Sequence, residues 1–266
     1  NDMLVDGKTS ILAPGDRVPV EKAPDADALF VMAVAPRRGK LSRPAIGSER
    51  EQVIAANIDV AVVVASAARP AFKPGLVDRY LIATEVGGVQ PLLCVNKMDL
   101  ADEEPAEVKL YRDLGMPVIN TSCRTDLGLD ELRAHLKGKY ACLTGHSGVG
   151  KSSLINALDP QFEIATRDIS DQTKKGRHTT STSRLYHLEG DIHIVDTPGI
   201  RQLGLWGVSR EEVDFYFPEM EGLATQCKFR DCTHLHEPGC AVRQAVEAGE
   251  IATARYQSYR RIRESL

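Results

Sequence analysis

The sequence predicts an α/β protein whose central domain is a parallel β-sheet with helices on both faces. Three observations lead to this prediction. Strand-like and helix-like segments alternate through the middle of the chain, as they do in parallel sheets. Short apolar runs interrupted by Pro and Gly fill the first part, and helical segments with a cluster of Cys and His fill the last. We therefore expect three domains, at residues 1–47, 48–208 and 209–266.

The first domain is predicted to be a small antiparallel β structure. TSILAPGDRVPV (9–20) and ALFVMAVAPRRGKL (28–41) have no helical period, and PGD within the first run is a turn sequence. A small β-barrel would accommodate these short strands.

The central domain is predicted to begin at DVAVVVAS (59–66), because its unbroken β-branched run is typical of a strand buried on both faces. The further strands and the helices alternate along the chain: strands at 91–95, 117–120 and 140–145, and helices at 76–86, 102–114, 129–136 and 153–158. A pair of strands is then expected at 183–188 and 191–196. After about residue 208 the pattern becomes helical, with helices at 241–249 and 251–264.

Composition argues against a membrane protein. The chain has 266 residues, 42% of them hydrophobic, and a net charge of −4. Its best apolar stretch, residues 53–68, contains Asn57 and Asp59, so no run of about 18 uncharged apolar residues exists. We find no signal-peptide pattern and expect no membrane contact.

Basic residues are bunched in two places. Residues 35–44 hold four basic side chains and no acidic one, and so do residues 255–263. Bunched cations can neutralise the phosphates of a nucleic acid even in an acidic chain. The alternative is ordinary solvated surface charge, and charge alone does not decide between the two.

A phosphate-binding loop is the clearest motif. GHSGVGKS (145–152) matches G-x-x-x-x-G-K-[ST] between a predicted strand and a predicted helix, as this motif requires. Its glycines let the backbone N–H groups face phosphate oxygens. Lys151 is expected to reach the β- and γ-phosphates, and the Ser152 hydroxyl to bind magnesium. The predicted nucleotide contacts of this loop are Gly145, Ser147, Gly148, Val149, Gly150, Lys151, Ser152 and Ser153.

A second motif predicts selection of guanine. NKMD (96–99) follows the strand at 91–95. The Asp99 carboxylate can accept two hydrogen bonds from guanine, whereas adenine would leave it unpaired. Asn96 is expected to brace the loop and Lys97 to lie along the base. In NTSCR (120–124), Ser122 and Cys123 are the candidates for the backbone donor to guanine O6.

A third motif, DTPG (196–199), ends the last predicted strand. Asp196 is expected to hold magnesium through water, and the Gly199 N–H to meet the γ-phosphate. The segment DQTKKGRHTTSTS (171–183) precedes it, and its polar, glycine-containing composition is typical of a mobile segment. Either Thr179 or Thr180 can complete the magnesium shell, and we take Thr180 as the working assignment.

The catalytic residues are less obvious from the sequence. In Ras-type GTPases a glutamine after the glycine of this motif orients the attacking water, but here that residue is Ile200. His178 is the best substitute, so we assign His178, Lys151 and Thr180 as catalytic. The alternative is that His178 is a surface loop histidine.

Three cysteines and a histidine near the end have the spacing C-x4-C-x-H-x5-C, which predicts a metal site. Three thiolates and one imidazole suit tetrahedral zinc, and four protein ligands indicate a structural site. The four residues are Cys227, Cys232, His234 and Cys240, and His236 competes with His234. Clustered thiols also indicate a reducing compartment, and hence the cytoplasm.

The order of the motifs is that of a circularly permuted GTPase: guanine loop, then phosphate loop, then DTPG. With a β domain before them and a Cys₃His cluster after them, the sequence resembles the ribosome small-subunit-dependent GTPase A family (RsgA/YjeQ type). The most specific matches are residues 145–158, GRHTT (176–180), DTPG and the cluster spacing. The resemblance implies an N-terminal OB-fold, which looks short here, a permuted P-loop GTPase core and a C-terminal zinc domain. It also favours His234 over His236.

The resemblance further implies a function. It implies GTP hydrolysis coupled to binding and release of the small ribosomal subunit during late maturation, with rRNA as a partner. We expect magnesium with GTP, one structural zinc, a monomer, and hydrolysis that is slow until the subunit binds. One alternative is a nucleotide-occupancy switch or RNA-binding module without significant hydrolysis. Another is a permuted GTPase acting on the large subunit, which the zinc cluster and the β domain disfavour.

The permuted order also has a mechanical implication. The chain leaves the core just after DTPG, the motif expected to sense the γ-phosphate. We therefore predict that the zinc domain responds to the state of the nucleotide.

Overall fold

The computed structural model describes most of the chain, namely residues 4–5, 9–10, 12–22, 28–45, 47–159, 161, 184–196 and 204–266. Within these ranges, the first part contains six short strands: β1 (Leu4–Val5), β2 (Thr9–Ser10), β3 (Val20–Lys22), β4 (Leu29–Val31), β5 (Lys40–Pro44) and β6 (Glu51–Ala56). They pair antiparallel as three separate ladders, β1 with β2, β3 with β4 and β5 with β6.

The predicted OB barrel is not confirmed. Over the described ranges the three ladders do not join into one sheet. A barrel requires each strand to pair on both sides, and these strands of two to six residues each have one partner. The β5–β6 ladder also spans residue 47, where we placed a domain boundary.

The central domain is the predicted parallel sheet. Its elements, in chain order, are β7 (Val60–Ser66), α1 (Pro74–Val86), β8 (Gln90–Asn96), α2 (Val108–Asp113), β9 (Val118–Asn120), α3 (Leu129–Leu136), β10 (Tyr140–Thr144), α4 (Lys151–Leu158), β11 (Arg184–Leu188) and β12 (Ile192–Asp196). The strand order is β11-β12-β10-β7-β8-β9, and every pairing is parallel except that of β11 with β12.

The helix expected over 102–114 is shorter than predicted. Pro105 disfavours helical backbone at Glu104, residues 106–107 form a turn, and the helix begins at Val108. In helix α1, by contrast, proline is favourable. Pro74 occupies the first helical position, where the backbone N–H has no partner within the helix.

Burial explains why β7 lacks an alternating pattern. All seven of its residues are buried, yet their side chains still point to opposite faces. Val60, Val62 and Val64 pack with α3 and α4, whereas Val63 and Ala65 pack with α1 and the C-terminal helices. A strand covered on both faces needs apolar residues at every position.

The last part is helical, as predicted. It contains a 3₁₀ segment, Arg210–Tyr216, and the helices α5 (Pro218–Ala224), α6 (Ala241–Glu247) and α7 (Thr253–Glu264). Phe217, Tyr259 and Ile262 belong to the same buried cluster as Val77 and Tyr80 of α1. The C-terminal region therefore shares its core with the sheet. Among the described residues, no helix is long and apolar enough to cross a membrane.

Candidate active site and metal centre

The sheet topology brings the sequence motifs to one edge. Strand β7 lies between β8 and β10, and β12 follows β10 in the same direction. The carboxyl ends of parallel strands meet at one edge of a sheet, and ligands of open α/β folds bind there. Asn96 ends β8, Gly145 follows β10 and Asp196 ends β12. The permuted motifs thus converge although their order along the chain is reversed.

Glycines shape the phosphate loop. Gly145, Gly148 and Gly150 have φ of 140°, 81° and 100°, which disfavour any other residue. A Cβ at Gly145 would lie 2.2 Å from the Val64 carbonyl oxygen, so the loop can lie directly on β7 only with glycine there. Helix α4 begins at Lys151, which places its N-terminus at the loop.

The Lys151 side chain folds back over this loop. Its ammonium donates hydrogen bonds to the Gly145 carbonyl at 2.8 Å and to the His146 carbonyl at 2.9 Å. These hydrogen bonds hold the positive charge of Lys151 against the phosphate loop. Ser152 and Ser153 follow in the first turn of α4, both half-buried.

Asn96 joins the guanine motif to the phosphate loop. Its Nδ2 donates to the Val149 carbonyl at 2.9 Å, and its Oδ1 accepts from the Thr121 hydroxyl at 3.1 Å. The side chain is almost fully buried. Three motifs that are distant in sequence are therefore braced by one amide. The sequence did not indicate a role for Thr121, which stands beside the expected Ser122.

Lys97 contacts the same loop from the other side. Its backbone is left-handed, with φ of 63°, and its ammonium donates to the Gly148 and Arg69 carbonyls at 2.5 and 2.6 Å. No sequence signal pointed to Arg69, because only its backbone oxygen takes part.

Asp99 is oriented by Ser122. The Ser122 hydroxyl donates to Asp99 Oδ1 at 2.7 Å and accepts from the N–H groups of Arg124 and Thr125 at 3.2 and 3.3 Å. The Ser122 N–H itself donates to the Leu127 carbonyl at 3.0 Å. Ser122 therefore positions the carboxylate, and its own N–H is occupied within the protein.

The predicted magnesium ligands are described only in part. Ser152 begins α4 and Asp196 ends β12, whose Val195 lies opposite Cys142 of β10. The remaining predicted site residues lie outside the described ranges: His178, Thr179, Thr180, Gly199 and Ile200.

The four residues of the Cys₃His cluster come together at the start of α6. The His234 Nδ1 lies 3.5 Å from Cys227 Sγ and 3.4 Å from Cys240 Sγ, and these two sulfurs are 3.9 Å apart. The ligand atoms of all four residues lie within 4.8 Å of one another. Tetrahedral zinc, with bonds of about 2.0–2.3 Å, requires ligand atoms about 3.4–3.8 Å apart. The donor set and its spacing therefore fit zinc. His236 is exposed and not part of this group.

Neighbouring residues hold the cluster in shape. Tyr256 OH donates to the His234 carbonyl and Tyr259 OH to the Thr233 carbonyl, both at 2.7 Å.

The Glu237 carboxylate accepts hydrogen bonds from the Thr233 hydroxyl and from the N–H groups of Thr233, Leu235 and His236. Burial opposes its charge, but these bonds prevail and hold the pKa of Glu237 well below its usual range.

Two of the four basic residues at 255–263 are structural, whereas Arg260 and Arg261 are exposed. Arg255 is 3% exposed and pairs with Asp78 and Glu219, and Arg263 is 8% exposed and donates to the Arg210 carbonyl. In the bunch at 35–44, three side chains have protein partners: Arg37 with Asp16, Lys40 with Glu51 and Arg43 with Gln52. Neither bunch is a row of freely solvated cations.

The fold and the site define the class: a P-loop GTPase core in circularly permuted order, joined to a Cys₃His region. The family model described as RsgA GTPase matches residues 34–206. The small ribosomal subunit biogenesis GTPase RsgA of Pseudomonas aeruginosa (strain LESB58) is 46% identical over 260 residues, which cover 96% of this chain and 76% of that protein. The protein of the same name from Gemmatimonas aurantiaca is 42% identical, covering 96% and 84%.

Comparison with solved structures indicates the same family. YjeQ from Thermotoga maritima is 32% identical with a TM-score of 0.72, covering 96% of this chain and 84% of that one. YloQ, described as a circularly permuted GTPase, is 34% identical with a TM-score of 0.66, covering 94% and 79%. The chain belongs to the RsgA GTPase family, and it is a GTPase.

Proposed function

We propose that this chain hydrolyses GTP in the biogenesis of the small ribosomal subunit, and that hydrolysis is coupled to its binding to and release from that subunit. The hydrogen bond from Asn96 to the Val149 carbonyl, 2.9 Å long, carries the proposal, because it makes base selection and phosphate binding one unit. The names of the relatives support the ribosomal role. We further propose that the chain acts as a monomer in the cytoplasm, with rRNA as its contact on the subunit.

Guanine is selected by Asp99, whose carboxylate accepts from the base N1–H and exocyclic amine. Ser122 orients this carboxylate through its hydroxyl, 2.7 Å away. Because the Ser122 N–H is bonded to Leu127, the Cys123 N–H is the proposed donor to guanine O6. The Lys97 stem lies along the base, while its ammonium stays on the Gly148 carbonyl.

The phosphates are bound by backbone N–H groups of the loop from Gly145 to Ser153 and by Lys151. The Lys151 ammonium exchanges its two loop carbonyls for phosphate oxygens when the nucleotide binds. Magnesium, when bound, neutralises phosphate charge and would be held by Ser152, Thr180 and, through water, Asp196. The Gly199 N–H is proposed to meet the γ-phosphate.

His178 is the proposed acceptor that orients the attacking water, because Ile200 has no polar atom to do so. Lys174, Lys175 and Arg177 lie close to His178 in sequence and would be attracted to rRNA phosphates. Docking on the subunit would then place His178 at the water. Hydrolysis is accordingly slow in the isolated protein and stimulated by the subunit.

The test is multiple-turnover GTP hydrolysis with and without purified small subunits, on the wild type and on His178→Ala. We expect strong stimulation of kcat in the wild type and none in the variant. Co-sedimentation with subunits in the presence of a non-hydrolysable analogue should be the same for both proteins. Equal stimulation of the variant would remove His178 from catalysis, and purified large subunits serve as the specificity control.

Base selection has a separate test. Asp99→Asn exchanges an acceptor for an amide that presents a donor, so GTP affinity should fall. XTP affinity should rise, because xanthine has a carbonyl where guanine has its amine. Competition titrations with both nucleotides measure this, and an unchanged preference for GTP would exclude Asp99 from the base site.

The residue at position 200 favours one other candidate function: a switch that responds to nucleotide occupancy without significant hydrolysis. Isoleucine in place of the water-orienting glutamine is the observation behind it. The hydrolysis assay with subunits distinguishes the two functions. A chain that binds subunits only with the GTP analogue, and never turns over, would be the switch.

We propose that Cys227, Cys232, His234 and Cys240 hold one structural zinc. The ligand distances and the four protein donors support a closed tetrahedral site. Bound zinc would stabilise the loop between α5 and α6, and no step of hydrolysis passes through it.

A further inference from the structure

A pair of histidines lies on the β11–β12 hairpin, apart from the nucleotide and Cys₃His sites. His187 and His193 are direct cross-strand partners. Their rings meet nearly at right angles, with centroids 4.8 Å apart, and the two Nδ1 atoms are 2.8 Å apart. His187 is exposed on the edge strand of the sheet, so the pair is accessible to solvent.

The ring of His193 is fixed from two sides. Tyr140 stacks on it with centroids 4.5 Å apart, and the Asp191 carboxylate lies 3.2 Å from its Nε2. Because a carboxylate only accepts, its position beside Nε2 favours the tautomer of His193 that carries its hydrogen there. In that tautomer, Nδ1 presents a lone pair to His187. An imidazole that gives its other N–H to a carboxylate is the arrangement found at metal-ligating histidines.

The separation of the two Nδ1 atoms indicates which ions suit the pair. Two nitrogens bound side by side to a square-planar ion, with bonds of about 2.0 Å, lie about 2.8 Å apart, whereas tetrahedral zinc spreads them to about 3.3 Å. Square-planar or tetragonal nitrogen sites are typical of Cu(II) and Ni(II). The turn that joins the strands contributes the carboxylates of Glu189 and Asp191, which favour a cation nearby.

We propose that His187 and His193 form a second metal site, which chelates a square-planar divalent transition ion of the Ni(II) or Cu(II) class through the two Nδ1 atoms. Water completes the coordination on the exposed side. The bound ion ties edge strand β11 to β12, the strand that ends at Asp196. Asp191 is a positioning residue, since it sets the tautomer of His193 without reaching the ion.

The test is Ni(II) titration of the untagged 266-residue chain after zinc loading, by calorimetry, with zinc content measured in the same samples. We expect one Ni(II) per chain in addition to the zinc. His187→Asn and His193→Asn should each weaken binding at least tenfold, and Asp191→Asn less than either. His135→Asn, a histidine on α3 outside the pair, should bind as the wild type does.

A second readout separates metal binding from a hydrogen bond between the two imidazoles. Electron paramagnetic resonance of added Cu(II) should show coupling to two nitrogens in the wild type and to one in either single variant. Circular dichroism and zinc content confirm that each variant is folded. If the wild type binds no Ni(II) beyond the Cys₃His site, or if both single variants bind it as tightly as the wild type, the pair is only a hydrogen bond and the assignment is wrong.

Discussion

Asn96 donates a hydrogen bond to the backbone carbonyl of Val149, 53 residues later in the chain, at a distance of 2.9 Å. One residue ends the strand of the guanine motif and the other lies inside the phosphate loop. The bond is buried, so water cannot replace it without cost. The two halves of the nucleotide site are therefore coupled through a side chain rather than through adjacent sequence.

We predict that Asn96→Ala weakens binding of GTP and GDP to similar extents. The Val149 carbonyl and the Thr121 hydroxyl would both lose a partner, at a cost of about 1–3 kcal/mol, or roughly five- to 150-fold in affinity. Calorimetric titration of both nucleotides measures this. Gln90→Ala, exposed at the other end of β8, is the matched control. Wild-type affinity in Asn96→Ala would contradict the coupling.

Gly150→Ala should strongly weaken nucleotide binding while leaving the protein folded. The added Cβ would lie 2.3 Å from Asn96 Nδ2, at a φ of 100° that alanine rarely adopts. The loop must shift away from Asn96, so we expect affinity to fall well over tenfold. Gly222→Ala is the control, because it lies in α5 with no atom near the new Cβ. Thermal unfolding should show that both variants keep the fold. Nucleotide affinity equal in the two variants would contradict this account.

The sequence predicted the central sheet better than it predicted the first part of the protein. Strands β7, β8, β10 and β12 agree with their predictions. Parallel strands that are buried on both faces have continuous apolar sequences, and the sequence motifs mark where these strands end. The expected OB barrel is not seen in the described residues. The sequence could not predict this part well, because strands of two or three residues are too short to show an alternating pattern. Partners such as Thr121 and Arg69 were missed because they act through long-range contacts.

Arg255 shows why charge bunches mislead. In sequence it is one of four basic residues in 255–263, which suggested a surface for phosphates. In the structure it is buried between Asp78 of α1 and Glu219 of α5. Arg255 lies on the face of α7 that packs against α1. The number of basic residues in a sequence segment gives no information about this packing.

Removing a zinc ligand should destabilise the C-terminal region and leave the nucleotide site intact. We expect Cys232→Ser to lose stoichiometric zinc by elemental analysis and to melt at a lower temperature, because the cluster region has too little core without a metal. Nucleotide binding by residues 96–199 should survive. Cys142→Ser, a buried cysteine outside the cluster, is the control and should keep one zinc per chain. Retention of zinc by Cys232→Ser would refute the ligand assignment.

The last prediction concerns the attachment of the C-terminal region to the sheet. Asp78 is 1% exposed and Glu219 makes two hydrogen bonds to the same guanidinium, so Arg255 compensates two carboxylates at once. Arg255→Met keeps an unbranched apolar stem but removes the guanidinium and leaves a buried charge on Asp78 unpaired, which costs about 3–5 kcal/mol. Urea unfolding should show this loss. The double variant Arg255→Met/Asp78→Asn removes the unpaired charge and should recover part of it.

The same variants test whether the zinc domain responds to the nucleotide. Helix α7 packs on α1, so the C-terminal region is held to the core here as well as through the chain after DTPG. If this attachment transmits nucleotide state, hydrogen exchange in residues 204–266 should differ between GDP and a non-hydrolysable GTP analogue in the wild type. The difference should shrink in Arg255→Met/Asp78→Asn. No difference in the wild type would mean that the C-terminal region is a rigid extension of the core, and the predicted response of the zinc domain would be wrong.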